Sequence, residues 1–261
     1  MRSEPDTVHT FEAGRTRLIT AGDSCVGNRY PANFDVLHVD PDLPFVAVAD
    51  GMGGGRGSTV AGETAMATVV EAVRTAGQGA GPADLRAAVA TAQDRVGAAG
   101  RSLGELTGCT LTALLAGPTG ADAWIVQIGD SRAYRLRDGL LELLTVDHTT
   151  AWLGAVYGWY PADSPEAAAA RYQLTRYVGH GGRPEPDLLN VSLRPGDVYC
   201  LCTDGVAEQV DYQRLRQRLG GRTGPVELLR GLLADTLAAG GHDNATAAIM
   251  RVEQRLPAHQ R

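Results

Sequence analysis

FVAVADGMGGGRGSTVAGETA, Phe45 to Ala65, begins as a strand and ends as a helix. Between the two lies an aspartate, Asp50, followed by backbone with almost no side chains. Apolar residues carry the chain up to the carboxylate, so Asp50 stands at the end of a buried strand. A Ser/Thr start at Ser58-Thr59 and apolar residues at near-helical spacing predict a helix over residues 58–76. The glycines fit neither a P-loop nor a dinucleotide fingerprint, since no GK[ST] follows and the G-x-G-x-x-G spacing is missing. Their use is close approach: without Cβ atoms, backbone carbonyls can reach a ligand and leave room for a phosphate.

The same arrangement recurs. Asp130-Ser131 closes WIVQIGD, Asp204-Gly205 closes VYCLCTD, and Asp243-Asn244 precedes the apolar ATAAIM. An Asp-Gly at a strand end is most simply a turn, and each one alone reads that way. Four carboxylates delivered to one rim of a sheet would repel each other unless a cation lay between them. Oxygen-only ligands suit Mg²⁺ or Mn²⁺ rather than zinc. The six histidines are scattered, and no zinc site is expected. Turns and a metal site both stay open on spacing alone.

Composition removes other mechanisms. All 24 basic residues of the 261 are arginine, so an enzyme built on a Schiff-base, P-loop or kinase lysine is excluded. A net charge of −6 argues against a nucleic-acid partner. No apolar run is long enough for a membrane span, and the N-terminus lacks the pattern of a secretory signal. Of the four cysteines, Cys200 and Cys202 share one strand; they are expected on opposite faces and unsuited to a disulfide, which fits a reducing, cytoplasmic setting.

Strands are expected at 34–40, 44–50, 108–117, 121–130, 131–139, 140–148, 197–205 and 245–253, with helices at 58–76, 83–99 and 226–241. Residues 149–187 read as irregular, with a helical turn or two in 165–172. Segregated runs of strands and helices favour an α+β fold with antiparallel sheets. Residues 1–19 are expected to be a loose segment, with a strand beginning in TRLITAGDSCVG (16–27), residues 20–253 one domain and 254–261 a tail.

Seven ordered motifs carry a resemblance over about residues 20–253: VADGMGG (48–54), GCTLTALL (108–115), IGDSRAYRLRDG (128–139), LTVDHT (144–149), LTRYVG (174–179), LCTDGV (201–206) and GGHDNATAAIM (240–250). The chain resembles the bacterial branch of the metal-dependent protein phosphatases of the 2C type. The resemblance implies a four-layer αββα sandwich, two antiparallel sheets flanked by helix pairs, with a flap over 150–173. It implies hydrolysis of phosphoserine and phosphothreonine in proteins with two or three Mn²⁺ or Mg²⁺ ions and a metal-bridging hydroxide. By motif, Asp50 bridges two metals, the Gly51 carbonyl binds the second, Asp204 and Asp243 bind the first, and Asp130 with Asp204 holds a weaker third. Asn244 orients Asp243 from behind it. A monomeric cytoplasmic enzyme with no nucleic-acid or membrane partner is expected.

The chain also departs from that pattern. The family's R-x-x-N-[EQ]-D appears as RYPANFD (29–35), which leaves Arg29 as the candidate phosphate-binding residue and Asp35 as a supporting carboxylate. Phe34 stands where a polar residue is usual and is expected to remove a water-mediated contact. Met52 occupies the place where some members carry a histidine acid. His148 is expected to be structural and His242 a solvated loop residue. Two other readings remain: a phosphatase for a specialised substrate, either an anti-sigma-antagonist protein or a small phosphate ester, and a silent binding protein on the same fold.

Overall fold

The computed structural model describes residues 8–161 and 163–255. The chain starts with strands β1 (Val8–Ala13), β2 (Thr16–Cys25), β3 (Asp35–Val39) and β4 (Phe45–Asp50), then helices α1 (Arg56–Ala76) and α2 (Pro82–Leu103). Strands β5 (Leu111–Ala116), β6 (Asp122–Ile128), β7 (Arg132–Arg137) and β8 (Leu140–Leu143) follow, then short helices α3 (Thr150–Tyr157) and α4 (Pro165–Ala170). The last part holds β9 (Asp187–Ser192), β10 (Val198–Cys202), α5 (Asp204–Ala207), α6 (Tyr212–Leu219), α7 (Pro225–Ala238) and β11 (Ala245–Gln254).

Two antiparallel sheets result, ordered β1-β2-β11-β10-β7-β8 and β3-β4-β5-β6-β9. Their inner strands are apolar on both faces because both faces are covered. In β4, Phe45, Ala47 and Ala49 pack with α1 and α2, while Val46 and Val48 meet the other sheet. In β10, Tyr199 and Leu201 face the sandwich interior, while Val198, Cys200 and Cys202 pack with α5, α6 and α7. Strand alternation thus divides each continuous apolar run between two cores. Three stacked cores make four layers, as the resemblance implies.

Several expectations need correction. The strand expected to begin in TRLITAGDSCVG is β2, but residues 8–13, expected to be loose, form β1, paired with β2 from Val8↔Ala21 to Ala13↔Thr16. Its alternation of exposed and half-buried residues is that of an edge strand with one wet face. Helices α3 and α6 and strand β9 emerge from stretches expected to be irregular or left unassigned. Cys200 and Cys202 lie two residues apart and so share one face of β10, not opposite faces; no disulfide joins them. The N-terminal residues 1–7 and most of the expected tail, 256–261, lie outside the described residues.

The topology gathers the four aspartate turns at one open end of the sandwich. Asp50 ends β4 on the parity of Val46 and Val48, the face toward the other sheet. Across the gap, β10 ends at Cys202 and β11 starts at Ala245, which brings Asp204 and Asp243 alongside. The approach there is close: a Cβ on Gly205 would lie 1.9 Å from the Asn244 carbonyl oxygen. We therefore expect Gly205→Ala to displace α5 from the start of β11 and lower stability by about 1–3 kcal/mol. A reduced urea midpoint at unchanged slope would show it; a midpoint equal to that of the wild type would refute this packing.

Candidate metal centre

Asp50, Gly51, Asp130, Asp204 and Asp243 line one cleft of 280 Å³, together with Tyr30, Met52, Gly53, Leu106, Thr110, Tyr172 and Leu174. Of the sequence candidates, the five proposed metal-binding residues are thus brought together. Arg29, Asp35 and Asn244 are not in the lining. Arg29 is exposed at the rim, its guanidinium 5.3 Å from the centre of the Tyr30 ring, and its charge acts on Asp243. Asp35 and Asn244 stand behind the cleft wall.

Charge repulsion dominates the site. Burial pushes the Asp50 carboxyl well above its ordinary range, and the charges of Asp204, Asp35 and Asp130 push it further. The Asp204 carboxyl, hydrogen-bonded to that of Asp50, is raised to about 6 by burial and by Asp243. Burial, Asp204 and Asp147 raise Asp130 well above the usual range. Asp243 is raised by burial, offset by the Asn244 backbone N–H and by Arg29. Asp35 is raised to about 7 by burial, although two hydroxyls act to lower it.

Register explains part of this. Asp35 and Asp50 are directly opposed in the β3–β4 ladder, and like charges opposite each other on a sheet are destabilising. Two buried threonines answer for Asp35: Thr203 Oγ1 donates to its Oδ2 at 2.9 Å and Thr246 Oγ1 at 2.7 Å. Thr110 accepts the Asp50 N–H at 2.9 Å and lies 2.7 Å from the Ser131 hydroxyl. These threonines escaped the sequence reading. For Thr203 and Thr246 the only local signal is a hydroxyl close to a strand-end aspartate, in CTDG and DNAT; Thr110, in GCTLT, has no aspartate near it in sequence.

Asn244 holds Asp243 through its backbone, while its side chain has a second use. Its backbone N–H donates to Asp243 Oδ1 at 2.8 Å. Its side chain instead pins the loop before β3, accepting the Phe34 N–H at 2.8 Å and donating to the Ala32 carbonyl at 3.1 Å. Phe34 packs edge-on against Tyr30, centroids 5.9 Å apart, and its carbonyl accepts the Gly51 N–H at 3.2 Å. A Cβ on Gly51 would lie 2.7 Å from the Ser58 oxygen and 2.8 Å from that of Phe34, so only glycine fits. His148 is a buried structural residue, as expected, and His242 is exposed.

The donor set fits a hard divalent cation. All the charged ligands offered are carboxylate oxygens. Asp204 Oδ1 is buried without a hydrogen-bond partner, which a buried acceptor does not tolerate unless something else satisfies it. Among the described residues no three His, Cys, Asp or Glu side chains stand where they could together hold a metal ion. Mg²⁺-type ions do not need an all-protein cage, because they take one or two carboxylates and keep several waters.

Comparison with known proteins agrees with the geometry. The family model described as protein phosphatase 2C matches residues 22–237. The chain is 32% identical over 210 residues to the serine/threonine protein phosphatase PstP of Mycobacterium tuberculosis, covering 80% of this chain and 40% of PstP. It therefore spans less than half the length of that relative. It is 28% identical over 228 residues to the serine/threonine phosphatase stp of Listeria welshimeri, covering 86% of this chain and 90% of stp. The catalytic domain of PstP, solved in complex with 2 manganese ions, superposes with a TM-score of 0.81 at 31% identity, covering 92% of this chain and 100% of that domain. With residues 22–237 matched and the carboxylate cleft at the end of a two-sheet sandwich, this chain belongs to the protein phosphatase 2C family.

Proposed function

We propose that the chain removes phosphate from phosphoserine and phosphothreonine in proteins, with Mn²⁺ or Mg²⁺ bound in the carboxylate cleft. The observation that carries this reading is the cluster of mutually repelling aspartates around the unpartnered Asp204 Oδ1. Asp50, Asp204, Asp243 and the Gly51 carbonyl would hold two ions, and Asp130 with Asp204 a weaker third. Bound there, such ions supply charge neutralisation and the acidity that lets water attack phosphorus.

The protein's own groups do the rest. Arg29 offers a planar guanidinium at the rim, suited to two parallel hydrogen bonds with a phosphate. The Asn244 N–H and the Thr203–Asp35–Thr246 network keep the carboxylates from swinging away. Tyr30, Met52, Leu106 and Leu174 give the cleft apolar walls that limit bulk water. No histidine lines it among the described residues, so the leaving oxygen takes its proton from water. Trp152, Tyr157, Trp159 and Tyr172 are exposed on the flap, and Tyr172 also reaches the cleft. That aromatic surface suits a polypeptide better than a small ester. With β1 completing its sheet, the catalytic unit takes in β1 and all of β2 and does not start at residue 20. We place it in the cytoplasm as a monomer, on the strength of the buried thiols of Cys109, Cys200 and Cys202 and the −6 charge; among the described residues no helix is long and apolar enough to cross a membrane.

Hydrolysis of p-nitrophenyl phosphate should require added Mn²⁺ after EDTA treatment and fall by at least about 100-fold in Asp204→Asn. Phosphothreonine peptides should be preferred over small esters by kcat/KM. Activity without metal, or undiminished in the variant, would refute the mechanism, and the reverse substrate preference would favour the small-ester reading.

Stability should also report the cluster. Asp35 near 7 and Asp204 near 6 hold more protons folded than unfolded between about pH 4 and pH 7. Folding then loses free energy as pH rises through that window. The EDTA-treated protein should melt at a lower temperature at pH 8 than at pH 5. Mn²⁺ should restore the Tm most at pH 8, where it no longer competes with protons. An Asp35→Asn, Asp204→Asn double variant should flatten the slope; an equally steep slope in that variant would mean other groups cause it.

A further inference from the structure

The dipeptide Asp147-His148 grips the segment that carries Asp130 from both sides. On one side the Arg132 guanidinium donates to the Asp147 carboxylate, Nη2 to Oδ2 at 2.6 Å and Nε to Oδ1 at 2.9 Å. On the other side His148 holds Gly129 twice. Its backbone N–H donates to the Gly129 carbonyl at 2.9 Å, and its ring Nδ1 accepts the Gly129 N–H at 3.1 Å. Gly129 has φ +106° and could not carry a side chain, since a Cβ would lie 2.6 Å from Thr110. A glycine peptide in that region has wide conformational freedom, so outside groups must fix it. Asp130 is the next residue.

The ring has the right form for this task. His148 Nε2 lies 3.0 Å from Asp187 Oδ2; an Nε2–H donating there leaves Nδ1 bare to accept from Gly129. Arg176 Nη1 is also 2.8 Å from Nε2. Donation from Arg176 would need the proton on Nδ1 instead and would break the Gly129 bond. Arg176 itself is held by its other nitrogen, Nη2, which donates to Asp187 Oδ1 at 2.9 Å and to the Glu185 carbonyl. Gly129 and Asp187 thus agree on one tautomer against one competing contact. His148 does not line the cleft and its side chain is 5% exposed.

We propose that His148 is the positioning residue for Asp130: by accepting the Gly129 N–H it fixes the peptide from which Asp130 enters the cleft, and so sets the affinity of the most weakly held cation. This rests on the assignment of Asp130 to a third ion. Hydrogen bonds one step removed from a ligand commonly change metal affinity by about 10- to 100-fold.

Two variants of the full chain separate positioning from filling space. In His148→Asn the amide oxygen takes the place of Nδ1 and keeps an acceptor for Gly129. In His148→Gln the amide reaches only the place of Nε2. In EDTA-treated protein the Gly129 amide should stay protected from hydrogen exchange in the wild type and in H148N, and exchange faster in H148Q. Calorimetric titration with Mn²⁺ should show the weakest step preserved in H148N and weakened about 10- to 100-fold in H148Q, with the tighter steps unchanged. Equal behaviour of the two variants, or better binding by H148Q than by H148N, would overturn the proposal while leaving the metal reading intact. A wild type that takes up no Mn²⁺ would overturn both. Should H148Q fail to fold, the imidazole ¹⁵N shifts of the wild type still decide: Nε2–H supports the proposal, and Nδ1–H ends it.

Discussion

Repulsion between buried carboxylates is the constraint around which this end of the molecule is built. Asp35, Asp50, Asp130, Asp204 and Asp243 come from five separate places in the chain and raise one another's affinity for protons. Such a cluster works against folding unless protons or cations compensate it. Three apolar cores offset that cost, and the two sheets that bury them on both faces also aim the strand ends. The fold therefore does two jobs with one feature. Continuous apolar strands make a stable sandwich, and the points where they stop deliver the charges.

That double burial is also why so much was legible from residues alone. A run such as FVAVAD or VYCLC has nowhere to go but between two covered layers, and each strand of that kind is found close to its expected place. Elements with one wet face were harder. β1 reads VHTFEA and α6 reads YQRLRQRL, mostly polar stretches that gain order from a few inward residues: Ala13 in one, Leu215 and Leu219 in the other. Local signals are weak in β1 and confined in α6 to the Asp211 cap and the Leu215/Leu219 spacing; the neighbour that covers their apolar side completes them. Strand β9 likewise takes its place by pairing along β6.

Within the cleft the same division holds between the carboxylates and the groups that hold them. A terminal aspartate announces itself by interrupting an apolar run. Thr203 and Thr246 do not, because threonine is an ordinary strand residue and its role depends on a carboxylate more than 160 positions away, at |i−j| of 168 and 211. Asn244 shows the limit in another form. Its position beside Asp243 was visible, but that its amide would tie down the loop bearing Phe34, 210 residues earlier, depends on β11 and β3 meeting across the two sheets.

The distribution of compensating donors then points to where a cation belongs. Asp35, at the back, receives two hydroxyls, which offset part of the effect of its burial. Asp243, near the rim, has a backbone N–H and the charge of Arg29. At the centre the compensation thins: Asp50 and Asp204 rely on each other, and Asp204 Oδ1 has no partner at all. A purely structural cluster would be expected to spread its donors evenly, since each unsatisfied buried acceptor costs about 1–3 kcal/mol. Here the protein supplies donors around the edge and leaves the middle bare. That is the pattern of a site whose last partner comes from solution, and it separates this group of aspartates from the well-paired buried carboxylates elsewhere, such as Asp40 with Arg74 and Asp197 with Arg137.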